Sequence, residues 1–182
     1  MVTDPDRDPA FRTSVAVGAT GMLAPALDWI AARSARTVVV ARRARRWSPT
    51  AGSAGQVVPL DRDWRDGDAL CQSLRQVVDP GEVDLVLLWM HASGSKALHG
   101  LLDLFAPHDL SIVHVLSSAA GDPAAYRDAA SRHGTVARYR TVKLGAVRGV
   151  SGWRWLSDAE ISEGAIQAIR EQRDVTVGEI PG

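Results

Sequence analysis

The chain has 182 residues, which fits one domain of typical size. Its 21 basic and 21 acidic residues balance, whereas proteins that bind nucleic acid through its phosphates are normally basic, so no nucleic-acid partner is expected. The single cysteine, Cys71, excludes an internal disulfide framework and a cysteine-based zinc site, and no metal site is predicted.

The first twelve residues, MVTDPDRDPAFR, are acidic and interrupted by proline. We therefore expect a flexible tail at 1–12 and one folded domain at 13–182. Such a start is not typical of a signal peptide, and no apolar run approaches the ~20 residues of a membrane span. These features predict a cytoplasmic protein without a membrane partner, and leave a homo-oligomer open as an alternative to a monomer.

After the tail, short β-branched runs alternate with helical patterns. Some runs are almost continuously apolar, such as VDLVLLW at 83–89 and IVHVL at 112–116, as in strands that are buried on both faces of a parallel sheet. The predicted strands are 13–18, 36–41, 56–60, 83–89, 111–116, 135–144 and 175–180.

The stretches between these strands carry the spacing of helices with one buried face. The apolar residues across 98–105 recur at i, i+3, i+4 and i+7, and Ser157 with Glu160 forms a capping box that opens the last helix. Crossovers of this length favour right-handed βαβ units. The sequence therefore predicts an α/β fold: a doubly wound, Rossmann-like parallel sheet of about seven strands that alternate with helices on both faces, with the longest irregular stretch at 42–55.

The first predicted strand leads directly into GATGMLA at 18–24, and a helical pattern follows. Gly18 and Gly21 stand where a tight turn needs a positive φ or a bare backbone beside a ligand. The free N–H groups of the following helix bind phosphate. This context predicts a dinucleotide-binding turn with Gly18, Thr20, Gly21 and Met22 as contacts. The alternative is a purely structural turn.

The end of the second predicted strand distinguishes the two nicotinamide dinucleotides. NAD-binding domains carry an acid there, which binds the ribose 2′-hydroxyl. This chain has no acid between Asp28 and Asp61, and has ARRARR at 41–46 instead. A guanidinium pairs with a 2′-phosphate that a carboxylate would repel. NADP(H) is therefore the predicted cofactor, bound by Arg42 and Arg43, while a solvated basic loop is the alternative.

GATGMLA resembles the cofactor turn of the short-chain dehydrogenase/reductase superfamily, above all that of its atypical and extended branches. Two further stretches agree: DWRDGDAL at 63–70 is similar to the segment after that superfamily's third strand, and LSSAAG at 116–121 to the end of its fifth. The resemblance covers roughly residues 13–145. It implies an acid near the adenine, so Asp63 and Trp64 are predicted cofactor contacts.

The catalytic residues of that superfamily are matched only in part. Ser118 corresponds to its serine, whereas its tyrosine and lysine, four residues apart on one helix, would fall at Ser131 and Thr135. Tyr139 and Lys143 have the spacing, but their segment has a strand pattern. On a strand such residues stand ~13 Å apart, so we do not expect them to act as a dyad.

Polar side chains that follow the fourth to sixth predicted strands complete the candidate site, because the carboxyl ends of parallel strands meet at one edge. His91, Ser118 and Lys143 are the predicted catalytic residues beside a small-molecule substrate. A loop histidine, a turn serine and a surface lysine are their structural alternatives. His114 is expected to be a satisfied core residue, and GWRW at 152–155 is expected to line a pocket or to cover the sheet edge.

Three functions fit this combination. The leading hypothesis is an NADP(H)-dependent oxidoreductase of atypical short-chain type that acts on a small organic substrate. The second is an NADP-binding regulatory or sensor protein without redox turnover. The third is a non-redox isomerase, dehydratase or cyclase on the same scaffold. The missing helical dyad keeps the second and third hypotheses open.

Overall fold

A parallel sheet of seven strands organises the computed structural model, which describes residues 11–50, 55–134, 137–149 and 152–180. The strands of these ranges are Phe11–Val17 (β1), Ser34–Ala41 (β2), Gln56–Asp61 (β3), Val83–Trp89 (β4), Ser111–Leu116 (β5), Arg138–Leu144 (β6), Ala146–Gly149 (β7), Gly152–Trp155 (β8) and Val175–Val177 (β9). The α-helices are Ala24–Ala31 (α1), Gly67–Val77 (α2), Ser95–Phe105 (α3), Pro123–Arg132 (α4) and Asp158–Glu171 (α5).

The strand order is β3-β2-β1-β4-β5-β6-β9, and every neighbouring pair is parallel. The chain winds outward from β1 to β3, returns past β1 to β4, and then winds in the other direction. This reversal creates a topological switch point between β1 and β4, where open α/β sheets bind ligands at the carboxyl ends of their strands. The predicted doubly wound, Rossmann-like sheet is confirmed.

Both faces of the sheet are buried, which explains its continuous apolar runs. Val86 and Leu88 of β4 pack in the core on the side of α2 and α3. Leu85 and Leu87 pack on the opposite side, with α1 and α5. Successive side chains of a strand alternate between faces, so a strand covered on both sides has no solvent-facing position for polar residues.

The connection between β2 and β3 departs from the predicted alternation. Its described part contains a short 3₁₀ turn at Ala44–Arg46 and no α-helix. The strict alternation is therefore wrong here, whereas the irregular stretch expected at 42–55 agrees with its described part, because these arginine-rich residues have no apolar stripe that could pack on the sheet. Residues 51–54 lie outside the described ranges.

An antiparallel hairpin, β7 with β8, follows β6 and was not predicted. Its strands have only four residues each, too few to show an alternating pattern. The last strand ends at Val177 rather than at residue 180, because Gly178 adopts φ +75° and Glu179 then pairs antiparallel with Ala146. The predicted sixth strand, 135–144, is observed from Arg138, and residues 135 and 136 are not described.

The first strand begins two residues earlier than the expected domain boundary. Phe11 is buried, and the Arg12 guanidinium contacts the Asp84 carboxylate of β4 at 2.7 Å. Residues 11 and 12 therefore belong to the sheet, whereas the rest of the predicted tail, 1–10, lies outside the described residues. Among the described helices, none is long and apolar enough to cross a membrane.

Candidate functional site

The turn after β1 presents unpaired backbone N–H groups to open space. The amides of Thr20, Gly21 and Met22 form no hydrogen bond with other described residues, and α1 has no side-chain N-cap. A Cβ at Gly21 would meet no atom within 4 Å. Free amides at the start of a helix, with room in front of them, are what a phosphate group requires.

The two glycines of the turn have different roles. Gly18 has φ +77°, and a Cβ there would lie 2.1 Å from the Trp89 carbonyl oxygen and 2.9 Å from the Trp64 ring. Gly18 therefore permits the close approach of β4 to the turn. Gly21 is not among the described residues with positive φ, so the expected positive φ is found at Gly18 and not at Gly21. The bare backbone beside a ligand is that of Gly21.

A cavity of about 530 Å³ lies over this turn. Gly18, Thr20 and Gly21 line one side, and Arg42 and Arg43, which are exposed at the end of β2, line another. None of the described residues that line it is acidic. Three aromatic rings complete the lining, those of Trp64, Trp89 and His91. The cavity thus joins the open glycine turn to two cations and to flat aromatic surfaces.

The acid at the end of β3 is paired with a different arginine. Asp61, at the end of β3, contacts the Arg45 guanidinium at 2.9 Å and also accepts the Arg45 backbone N–H. These interactions, led by the backbone hydrogen bond, lower the pKa of Asp61. The Arg43 guanidinium forms no ion pair or hydrogen bond with any described residue, so it can pair with a ligand.

The other predicted cofactor contacts are more dispersed. Asp63 accepts hydrogen bonds from Arg65, which lower its pKa to about 2, and lines a smaller adjoining cavity of about 230 Å³ with Trp64. Met22 lines a different cavity, of about 260 Å³, beside Ser118. The glycine turn, Arg42, Arg43 and Trp64 therefore come together, whereas Asp63 and Met22 do not reach the same cavity.

His91 is the predicted catalytic residue that reaches the glycine-turn cavity. It is exposed after β4, its ring centroid is 5.2 Å from that of Trp89, and it also lines a second cavity of about 570 Å³. Ser118, after β5, lines two other cavities, next to the hairpin. The carboxyl edge of the sheet therefore carries both residues, but not in one cavity. Their catalytic roles stay predictions.

The Lys143 ammonium supports a loop. It donates hydrogen bonds to the carbonyl oxygens of Ala120 and Gly121, in the segment that follows Ser118. Lys143 does not line any of the cavities described above. Its contacts identify it as a residue that positions the loop, and its predicted catalytic role remains untested.

The expectation that Tyr139 and Lys143 lie on a strand is confirmed, since both belong to β6. Tyr139 is buried, and its hydroxyl lies 2.6 Å from Nδ1 of His114. Burial raises the pKa of Tyr139. The Tyr139 hydroxyl therefore pairs with His114 in the protein interior, whereas Lys143 binds the carbonyl oxygens of a loop.

His114 is the residue that sequence reasoning missed. We expected a satisfied core histidine, and its Nδ1 is indeed paired, but its Nε2 is buried without a hydrogen-bond partner among the described residues. The ring lines the cavity of about 570 Å³. The available signal was a lone histidine in the strand IVHVL, two residues before its carboxyl end.

The hairpin forms the outer wall of two small cavities. Trp153 and Trp155 are 49% and 77% exposed, and both line a cavity of about 370 Å³ with Ser118. This observation supports the predicted pocket over a simple cover of the sheet edge. Arg154 anchors the hairpin to α5 through two contacts of 2.9 Å with the Glu160 carboxylate.

Acidification is expected to release this anchor. The hydrogen bond from Arg154 is the main cause that lowers the pKa of Glu160, from 4.5 to about 2. Because the folded pKa is the lower one, the stabilising effect is complete above about pH 4.5 and is lost as the pH falls through about 2. The indole N–H resonances of Trp153 and Trp155 should titrate with a midpoint near 2.

The variant Glu160→Gln should show at neutral pH the resonances that the wild type reaches only in acid. Glu163→Gln, an exposed change on the same helix, serves as the control and should retain the wild-type titration. Hairpin resonances that are insensitive to Glu160→Gln would show that Arg154 and Glu160 do not hold the hairpin.

The sequence matches no family model, and no curated protein matches it significantly. Solved structures share its fold. A short-chain dehydrogenase from Burkholderia cenocepacia in complex with NADP has a TM-score of 0.63 and 15% identity, over 93% of this chain and 89% of that chain. A short-chain type dehydrogenase/reductase from Mycobacterium ulcerans has a TM-score of 0.64 and 14% identity, over 93% and 90%.

A third structure, a short-chain dehydrogenase from Leptospira borgpetersenii with bound NAD+, has a TM-score of 0.59 and 9% identity, over 98% of this chain and 96% of that chain. Identities this low establish the fold and not the activity. The resemblance that GATGMLA carries is thus matched by the whole architecture of the chain. The chain has a Rossmann fold, which it shares with these short-chain dehydrogenases.

Proposed function

We propose that the protein is an NADP(H)-dependent oxidoreductase of atypical short-chain type that acts on a small organic substrate. The observation that carries the proposal is the cavity that joins the open glycine turn to Arg42 and Arg43 without any acidic residue in its described lining. Similar structures bind NADP in one case and NAD+ in another, so the end of β2 is the feature that argues for NADP(H) here.

The residues of the cavity suit the parts of this cofactor. The amides of Thr20 and Gly21 would donate to the pyrophosphate, and the start of α1 would add a favourable dipole. Arg42 and Arg43 would pair with the 2′-phosphate. The Trp64 ring offers a flat surface to a base. Bound NADPH would supply a hydride from its nicotinamide ring, and bound NADP+ would accept one.

The remaining site residues would serve the substrate side. His91 borders both the glycine-turn cavity and the cavity of about 570 Å³, so it lies where cofactor and substrate would meet. Ser118 would contact the substrate or the nicotinamide from the loop after β5. Lys143 would hold that loop in place through its hydrogen bonds to backbone carbonyls.

An NADP-binding sensor without redox turnover is the second candidate. It is favoured by the position of α4, where Ser131 stands at the place of the superfamily's tyrosine and donates its hydroxyl to the Arg127 carbonyl. No described residue supplies a helical tyrosine–lysine pair, since Tyr126 of α4 is followed four residues later by Ala130. A sensor would bind the same cofactor and leave it unchanged.

The first test measures cofactor preference. We expect NADPH to bind more tightly than NADH, and both Arg42→Ala and Arg43→Ala to weaken NADPH selectively. Losing a charge-assisted pair costs about 1.5–3 kcal/mol, or roughly 10- to 150-fold in affinity. Calorimetric titration of each variant with both cofactors gives the two dissociation constants.

Arg46→Ala is the matched control, because Arg46 is exposed in the same segment and does not line the cavity. It should retain the wild-type preference. Equal affinity of the wild-type protein for NADPH and NADH would refute the assignment of the 2′-phosphate site. The proposed oxidoreductase and the sensor are then separated by incubating the protein with NADPH and small ketones or aldehydes. Consumption of NADPH supports the enzyme, and binding without consumption supports the sensor.

A further inference from the structure

The cavity of about 570 Å³ lies beside the glycine-turn cavity, and His91 lines both. It is bordered by the residues after β4 and β5, by Leu98 of α3 and by Tyr126 of α4. Its lining surface is mostly apolar, with contributions from Met90 and Leu116, and three serines and two histidines also line it. None of the described residues that line it is Lys, Arg, Asp or Glu. The cavity therefore suits an uncharged molecule.

One polar side chain that lines this cavity has a buried atom without a partner. The side chain of His114 is 2% exposed, and its Nε2 forms no hydrogen bond within the described ranges. The Tyr126 ring packs edge to face on the imidazole, with ring centroids 5.4 Å apart. Buried polar groups are rarely left unpaired, and each exception calls for an explanation, of which a bound molecule is one.

The hydrogen bond between His114 and Tyr139 determines where the imidazole carries its proton. Burial lowers the pKa of His114 to about 4 and raises that of Tyr139, so both are neutral near pH 7. If the phenol donates to Nδ1, only the Nε2 proton stays unpaired. If Nδ1 donates instead, the phenol proton and the Nε2 lone pair both stay unpaired. The first arrangement is favoured, and Nε2 is then a donor.

We propose that this cavity is the substrate pocket and that His114 is its specificity-determining residue, donating a hydrogen bond from Nε2 to the carbonyl oxygen of a small, neutral, largely apolar molecule. A carboxylate would lose its hydration here with no cation to pair with it. A hydrocarbon would leave Nε2 unpaired. Tyr139 acts as the positioning residue, because its hydroxyl fixes the tautomer of His114.

That the bound molecule is a substrate rests on the proposed function, whereas the existence of the ligand site does not. Its test therefore uses the full chain without cofactor. The probes are three ketones, acetophenone, cyclohexanone and 2-heptanone, each paired with the hydrocarbon that lacks the oxygen: ethylbenzene, methylcyclohexane and heptane. Benzoate probes for charge. Nitrogen-15 spectra of the histidine rings report the tautomer of His114 and its hydrogen bonding, and titrations give dissociation constants.

We expect the His114 resonances to show a proton on Nε2 in the free protein. At least one ketone should shift them and bind roughly tenfold more tightly than its hydrocarbon partner. Benzoate should bind more weakly than acetophenone. His114→Phe should abolish the preference for the ketone, while His114→Gln, which retains an N–H donor, should keep part of it.

Tyr139→Phe provides a test that does not alter His114 itself. It should leave binding of the hydrocarbons unchanged and reduce the preference for the ketone severalfold, because the tautomer is no longer fixed. This variant, with the wild-type spectra, decides the question if His114→Phe does not fold. Failure of all three ketones to bind at millimolar concentration, or a ketone preference that persists in both His114→Phe and Tyr139→Phe, would overturn the proposal.

Addition of NADP+ separates this inference from the proposed function. If NADP+ alone shifts the His114 Nε2 resonance and displaces the ketone, the cavity holds the nicotinamide carboxamide, and the pocket assignment is wrong while cofactor binding stands. If NADP+ and the ketone bind together, the pocket assignment is supported. Ketone binding to a protein that does not bind NADP(H) would retain the ligand site and refute the proposed function.

Discussion

Gly18→Ala is expected to lower the free energy of unfolding by about 2–5 kcal/mol. An alanine at φ +77° costs roughly 1–2 kcal/mol in backbone strain. Its Cβ would also lie 2.1 Å from the Trp89 carbonyl oxygen, which cannot move without displacing the end of β4. Such overpacking adds roughly 1–3 kcal/mol. Urea unfolding of the variant and the wild type measures the difference.

Gly134→Ala is the matched control, because Gly134 has a similar φ of +71° and a Cβ there would meet nothing within 4 Å. It should incur only the backbone strain of roughly 1–2 kcal/mol. The excess at Gly18 then measures the steric conflict between the turn and β4. Equal losses for the two variants would show that the close approach of Trp89 does not constrain residue 18.

Gly21→Val is expected to abolish cofactor binding while the protein stays folded. The position is exposed and does not have a positive φ, so the free energy of unfolding should change by less than about 0.5 kcal/mol. The valine side chain would project into the open space beside the free amides of the turn. Displacing a pyrophosphate from these amides should weaken NADPH at least roughly 100-fold, or about 2.7 kcal/mol.

A smaller side chain at residue 21 shows how the loss of NADPH affinity depends on side-chain size. Gly21→Ala should weaken NADPH less than Gly21→Val does, because a single methyl group fills less of the space in front of the turn. Calorimetric titrations of both variants provide the comparison. Unchanged NADPH affinity in Gly21→Val would mean that the turn is structural and that the cofactor, if any, binds elsewhere.

The sheet could be predicted because several of its strands are continuous apolar runs, which can be recognised from the local sequence alone. The runs 83–89 and 111–116 match β4 and β5 to the residue, since a strand covered on both faces has to be apolar throughout. The hairpin could not be predicted in this way. Its strands are four residues long and largely exposed, so solvent rather than a core determines which residues they carry.

The cofactor half of the candidate site was visible in the sequence, because a phosphate-binding turn is a contiguous piece of chain. Gly18, Gly21 and Arg42 occupy one cavity as their positions relative to the strands predicted. The substrate half was not visible, because it depends on which side chains meet across elements. Ser118 and His91 follow neighbouring strands yet line different cavities. The unpaired Nε2 of His114 can be recognised only when the surroundings of the ring are known.

The most direct test of the account is a backbone NMR titration of the wild-type protein with NADP+. We predict saturable shifts of the amide resonances of Thr20, Gly21 and Met22, together with the guanidinium resonances of Arg42 and Arg43. The pyrophosphate would cause the shifts of the turn amides, and the 2′-phosphate would cause those of the two guanidinium groups. Shifts confined to other parts of the protein, or no saturable change at millimolar NADP+, would contradict the assignment of this cavity as the cofactor site.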